Sequence, residues 1–255
     1  MSAVQLNING PVAELVLDNP RKLNALTPTM LEALETHCSK IESSDEVRVV
    51  LLLAEGDRAF CVGADINAWS DLSPFDFTRH WVRNGHRIFA RLAQLAQPTI
   101  AVISGPAYGG GLELAATCDL RVMAPNAMLA LPETGIGIVP GWSGTQRLTR
   151  QLPPTIIKEM ALLGNRLTAE RAYELGFVNE IAEDTRAAAR VMAEQIALKS
   201  SHATEVTKLM IQSALGEATE SAVEALGGGL IAGSDDKAEG VASFLEKRKP
   251  DFSGR

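Results

Sequence analysis

The chain has 255 residues, of which 46% are hydrophobic and 22% charged, the profile of one large domain, or a domain with a small appendage, around a packed core. Its net charge of −7 excludes a surface made overall for nucleic acid or anionic membrane. No apolar run is long enough for a membrane span. Glu14-Leu15-Val16-Leu17, after the Asn9-Gly10-Pro11 turn, predicts the second arm of an N-terminal hairpin. Thr27 then caps and Pro28 opens a helix in which Leu31, Leu34, Cys38 and Ile41 keep helical spacing to about Ser43. Val47 to Ala54 (VRVVLLLA) predicts a strand buried on both faces, and Thr99 to Ile103 a short β-branched strand. Gly109 to Thr117 predicts a helix, and Leu120–Met123 and Ala127–Leu131 predict strands. Ser143–Gln151 and Thr155–Leu163 follow as helices. A capping box at Leu167–Arg171 opens a short helix ending at Gly176, and Phe177–Ile181 is the last strand. From Asp184 the pattern is helical, with Gly227-Gly228-Gly229 as the only flexible joint in that tail. The alternation argues an α/β fold with a mostly parallel sheet, residues 1–190 forming the core and 191–255 a C-terminal helical region.

Two loops expose backbone donors. Phe60-Cys61-Val62-Gly63-Ala64-Asp65-Ile66 follows a buried strand, where open α/β sheets gather ligands, and Gly63 and Ala64 leave their N–H groups uncovered. On that segment alone a plain strand-to-helix loop is the better reading. In Ile103 to Leu114 a strand runs through Gly109-Gly110-Gly111 into a helix, and such glycines bare N–H donors at the positive end of the helix dipole. The spacing is not that of a dinucleotide fingerprint. Together the two loops would supply two N–H groups to one oxygen, an oxyanion hole.

Two carboxylates sit alone in apolar runs. Glu113 lies in GGGLELAA and Glu133 in LALPETGIGIVPGW. Their plain readings are an acid at a helix N-terminus, and a helix cap or an ion pair with Arg147. Desolvation among Leu, Ala and Ile predicts raised pKa values, which suit proton transfer near neutral pH.

The N-terminus shows no charged region, apolar stretch or Arg-rich amphipathic pattern, so no targeting peptide is expected. Cys38, Cys61 and Cys118 are odd in number and widely spaced, which fits free thiols and a cytoplasmic location. His37, His80, His86 and His202 do not cluster, so no metal is expected.

Five segments in order resemble the enoyl-CoA hydratase/isomerase, or crotonase, family over nearly the whole chain. They are Asn19 to Leu26 (NPRKLNAL), Ala59 to Ile66 (AFCVGADI), Gly109 to Asp119, Leu131-Pro132-Glu133 through Gly144-Thr145-Gln146-Arg147-Leu148, and Phe244 to Pro250. The resemblance implies a spiral of ββα units with a C-terminal helical region that makes trimers or dimers of trimers. It implies an acyl-CoA substrate, with coenzyme A part of that substrate and no separate cofactor. It assigns the thioester oxygen to the N–H groups of Ala64 and Gly110. Glutamates at both Glu113 and Glu133 imply hydration of a 2-enoyl-CoA, Glu113 as base on water and Glu133 as proton donor to the α-carbon. CoA would lie along Arg21, Lys22 and Leu23 and along Ala64, Asp65, Ile66 and Asn67, with Gly109, Gly141 and Trp142 also against the substrate. Lys247, Arg248 and Lys249 would help with phosphate or simply be a solvated helix end. Trp142 departs from the small residue often found there and would shorten or reshape the acyl pocket. Trp69 to Arg91, with Trp81 and Phe89, reads as a helical lid over the acyl chain or as ordinary packing. Alternatives are a double-bond isomerase, a thioester hydrolase or a retro-aldol lyase, and, from another class, an RNA-binding relative.

Overall fold

A computed structural model describes residues 3–217 and 219–254. The chain divides into two compact units, Met1–Glu205 and Val206–Arg255. In the first, β1 (Ala3–Asn9) and β2 (Val12–Asp18) form the expected antiparallel hairpin. α1 (Pro28–Glu42) starts with Thr27 Oγ1 accepting the Met30 N–H at 3.3 Å, and buries Met30, Leu31, Leu34, Cys38 and Ile41 along one stripe. β3 (Val49–Ala54) is buried throughout.

The segment expected as one helix from Trp69 to Arg91 is broken. Ile66–Ala68 is a 3₁₀ turn, then come α2 (Pro74–Asp76), a π-helical stretch Phe77–Val82 and α3 (Arg83–Ala93). Pro74 has no N–H to extend a preceding helix, so the helical run restarts there with Ser73 as its cap. β4 (Thr99–Ile103), β5 (Ala107–Tyr108), α4 (Gly110–Ala115), β6 (Leu120–Met123) and β7 (Met128–Ala130) follow. After them come α5 (Gly144–Gln151), α6 (Pro154–Lys158) with a π-helical end Glu159–Leu163, and β8 (Leu167–Thr168). α7 (Ala169–Glu174), β9 (Glu180–Ile181) and α8 (Thr185–Ala197) complete the core.

Strand order in the main sheet is β1-β2-β3-β4-β6-β9, parallel except for the first hairpin. The two-residue period of β3 divides the core. Val50, Leu52 and Ala54 join the cluster that holds α1 and α3, while Val49, Leu51 and Leu53 join Ala189 and Ala193 of α8 on the other face. A second sheet, β5-β7-β8, stands beside α4. Arg121, 5% exposed, donates to the carbonyls of Ala115, Cys118 and Phe177 and so meets the orphan acceptors at the end of α4.

Three further expectations change. At Thr168 the hydroxyl does accept the Arg171 N–H at 3.2 Å, but Arg171 stands where a capping box needs Glu or Gln, so only half the box forms. The last strand shrinks to Glu180–Ile181, because Phe177 and Asn179 are spent on Arg121: the Asn179 side chain accepts the Arg121 N–H at 2.9 Å. Gly227-Gly228-Gly229 is no joint. α9 (Ser201–Ala214) spans the boundary between the units, and the triplet lies inside α10 (Thr219–Ala232), followed by α11 (Asp235–Glu246). Good helix formers on both sides outweigh a cost of roughly 1 kcal/mol per glycine. Among the described residues no helix is long and apolar enough to cross a membrane.

Candidate active site

Two isolated bridges pin the loop after β3: Leu26 with Ala64 and Cys61 with Ala107, both parallel. In the first, the Leu26 N–H donates to Gly63 O at 2.8 Å and the Asp65 N–H to Leu26 O at 2.9 Å. A parallel pairing uses the groups on either side of residue 64, so the Ala64 N–H itself points away from Leu26. The start of α4 is close by: a Cβ built on Gly63 would stand 3.3 Å from Gly110 N. Gly110 N–H is one of the unfilled donors of a helix start. Neither amide donates to another group among the described residues.

Such closeness needs glycine. A Cβ on Gly111 would fall on the Cys61 carbonyl oxygen, and Gly109 has φ +52° with a Cβ position 2.8 Å from Glu133 Oε1. Glu113, one turn into α4, is 2% exposed. Its Oε1 accepts the Trp142 N–H at 2.8 Å and the Gly144 N–H at 2.7 Å. Burial pushes this carboxyl up, and the amides of Gly144, Trp142 and Gly141, then the Arg147 charge, pull the other way. Glu133 opens a 3₁₀ turn, Glu133–Ile136. Burial pushes its pKa up to about 7, its own N–H opposes this, and the Glu113 charge adds to the rise. Its Oε2 is buried and has no hydrogen-bond partner among the described residues. Glu113, Glu133, Ala64 and Gly110 line one cavity of about 120 Å³.

The model of a family described as enoyl-CoA hydratase/isomerase matches residues 7–255. The chain belongs to the enoyl-CoA hydratase/isomerase family. It is 36% identical over 247 residues to the probable enoyl-CoA hydratase 2, mitochondrial, of Arabidopsis thaliana, covering 95% of this chain and 82% of that one. It is 31% identical over 253 residues to the short-chain-enoyl-CoA hydratase of Clostridium acetobutylicum, covering 98% and 97%. The solved enoyl-CoA hydratase of Bacillus anthracis superposes with a TM-score of 0.79 at 32% identity, over 99% of each chain. The crotonase-like fold implied by the sequence is therefore the fold of this chain.

In this hydratase/isomerase Trp142 is 3% exposed and lines the cavity. Its ring packs 5.1 Å from those of Trp81 and Phe89, and its indole occupies space that only the missing side chain of Gly85 leaves open. Trp81 also lines the cavity, so this part of the broken helical segment is at once packing and wall. The Asn19–Leu26 loop is bonded to the loop after β3, with Val62 N–H donating to Leu23 O at 3.2 Å. Lys22 is engaged by Asp65 at 2.6 Å, and Asp65 in turn accepts the Asn67 N–H at 3.2 Å. Arg21 and Ile66 are exposed beside them. Arg248 is held by Glu239 and Glu246, so that member of the terminal basic run is already paired. Gly109 and Gly141 line the cavity.

Four residues with parts in this geometry escaped the sequence reading. A Cβ on Gly144 would come within 2.6 Å of Glu113 Cγ, and Gly85 admits the indole. Asn24, 1% exposed with φ +56°, ties the first loop to the carbonyls of Glu55 and Ala59 at 2.9 and 3.0 Å. His86 is bonded to Ser143. Asn24 alone carried a signal, as a turn residue that tolerates left-handed backbone.

Proposed function

We propose that the protein hydrates 2-enoyl-CoA thioesters reversibly to 3-hydroxyacyl-CoA. The observation that carries this reading is the single cavity holding two buried glutamates and two undonated amides. Relatives named as hydratases over nearly the full length support it. The thioester oxygen accepts from the N–H groups of Ala64 and Gly110, which stabilise the negative charge of the enolate without reorganising. Water lies between the carboxylates. Glu113, whose Oε1 already accepts two N–H groups, acts as the base and takes the water proton as the oxygen bonds to the β-carbon. The electron pair of the double bond shifts to the bond between the α-carbon and the carbonyl carbon, and the carbonyl π pair moves onto the thioester oxygen, giving the enolate. Glu133, raised to about 7, holds a proton and delivers it to the α-carbon as the enolate collapses. Dehydration runs the same transfers backwards. Coenzyme A is part of the substrate, and these steps call for no other cofactor.

CoA runs along Arg21, Lys22 and Leu23 and past Asp65, Ile66 and Asn67. The Lys22–Asp65 pair leaves Arg21 as the freer cation for phosphate. Trp142 walls the cavity and so limits the room for the acyl chain. The protein is a homo-oligomer, a trimer or a pair of trimers. Exposed Leu230, Ile231, Phe244 and Leu245 in the second unit call for cover of this kind.

Crotonyl-CoA tests the reaction. Hydration bleaches the conjugated enoyl absorbance without releasing thiol, whereas hydrolysis releases thiol and leaves no hydroxyacyl product. Glu113→Gln and Glu133→Gln should each lower turnover on the order of 10²–10⁴-fold with unchanged folding. Near-normal turnover in both would remove the mechanism.

A further inference from the structure

Ser143 occupies the cap position of α5 in a form that a capping serine does not normally take. Its φ of +79° and ψ of 12° are left-handed, and its hydroxyl bonds no N–H of the helix it precedes. A serine cap usually has extended backbone and gives its hydroxyl oxygen to the second or third helical N–H. Here the hydroxyl lies 2.7 Å from His86 Nδ1 on α3.

The left-handed turn has a visible result. It turns the N–H groups of Trp142 and Gly144, on either side of Ser143, toward the same oxygen, Glu113 Oε1, at 2.8 and 2.7 Å. Neighbouring amides around one left-handed residue make a concavity for an anion, and the anion held here is the carboxylate of the proposed base. With Oε1 fixed, Oε2 is the oxygen left for water. A serine does not hold such backbone without help, since only glycine takes it freely. His86 is the side chain bonded to it, and His86 does not line the cavity of the glutamates.

We propose that His86 is a positioning residue: its hydrogen bond to Ser143 latches the Trp142–Gly144 turn in the left-handed form that aims Glu113 at water. This rests on the reading of Glu113 as general base. The latch holds in either charge state of the imidazole, because Ser143 Oγ–H donates to a bare Nδ1 and accepts from a protonated one.

The full-length protein tests this with crotonyl-CoA. His86→Ala keeps a good helix former at an exposed position of α3, so the fold should survive. Its kcat should fall about tenfold or more, the scale of a misplaced catalytic group, with KM changed less than about twofold. Ser143→Ala, which keeps the Cβ and removes the hydroxyl, should lose as much, and the two changes together no more than either alone. Ser143→Gly, free to adopt the turn unaided, should recover most of the loss when combined with His86→Ala. The limb of the pH profile set by Glu113 should rise in His86→Ala, as donors to its carboxylate loosen, and return in that combination. A kcat within about twofold in His86→Ala, additive losses, or no recovery with Ser143→Gly would each overturn the latch while leaving hydration standing. If the unaltered protein hydrates no enoyl-CoA, both readings fall.

Discussion

Gly-Gly-Gly occurs twice in this chain, at 109–111 and at 227–229. At the first place every missing side chain is taken up by a neighbour: Glu133 against Gly109, Trp142 against Gly110, the Cys61 carbonyl against Gly111. At the second, in the middle of α10, none of the described residues stands within 4 Å of any of the three Cβ positions. The same tripeptide is thus a close-approach device in one region and an uncompensated helix weakness in the other. What separates them is the neighbourhood, which a tripeptide does not record.

Substitution sharpens this contrast, and the largest effect belongs to the first triplet. Gly111→Ala drives a methyl into a backbone carbonyl that two bridges hold in place, so a loss on the order of 3 kcal/mol or more, or no folded protein, is expected in urea unfolding. A parent-like midpoint would break the comparison. A second effect concerns the carboxylate that stands against Gly109. Glu133 has its pKa raised from an ordinary 4.5 to about 7 by burial. The folded state therefore binds its proton more tightly than the unfolded chain does, and stability falls as pH rises from about 4.5 through 7. Glu133→Gln has no such proton to lose. It should be more stable than the parent by about 3 kcal/mol at pH 8, the gap closing toward pH 4.5, as paired urea midpoints would show. The smallest effect is in the second triplet: Gly228→Ala should raise stability by roughly 1 kcal/mol, since it improves a helix and meets none of the described residues of its own chain.

The sequence pattern announces the strands and helices of the core because their signals are local. Thr27-Pro28 starts α1, and the unbroken apolar run of β3 marks a strand covered on both faces. Order of motifs carried the family, and hence the sheet topology that periodicity alone left open. Glu113 and Glu133 were legible as carboxylates out of place, and the structure brings both to one cavity. What stayed hidden depends on contacts distant in the chain. Gly85 makes room for an indole 57 residues later, and the hydroxyl of Ser143, which reads as a helix cap, is drawn off by a histidine the same distance upstream. The lost joint at Gly227–Gly229 has the opposite cause: the local signal was real, but weak against the helix formers around it.

One consequence of the bridge between Leu26 and Ala64 concerns inheritance. Pairing register, not side-chain chemistry, turns the amide of Ala64, a residue that lines the cavity, away from Leu26. Most residues can therefore replace Ala64 without silencing that donor, whereas proline, with no hydrogen on its nitrogen, cannot. A single residue inserted between Cys61 and Ala64 would present a different peptide unit to the cavity. Evolution can rewrite the letters of this loop far more freely than it can change their count.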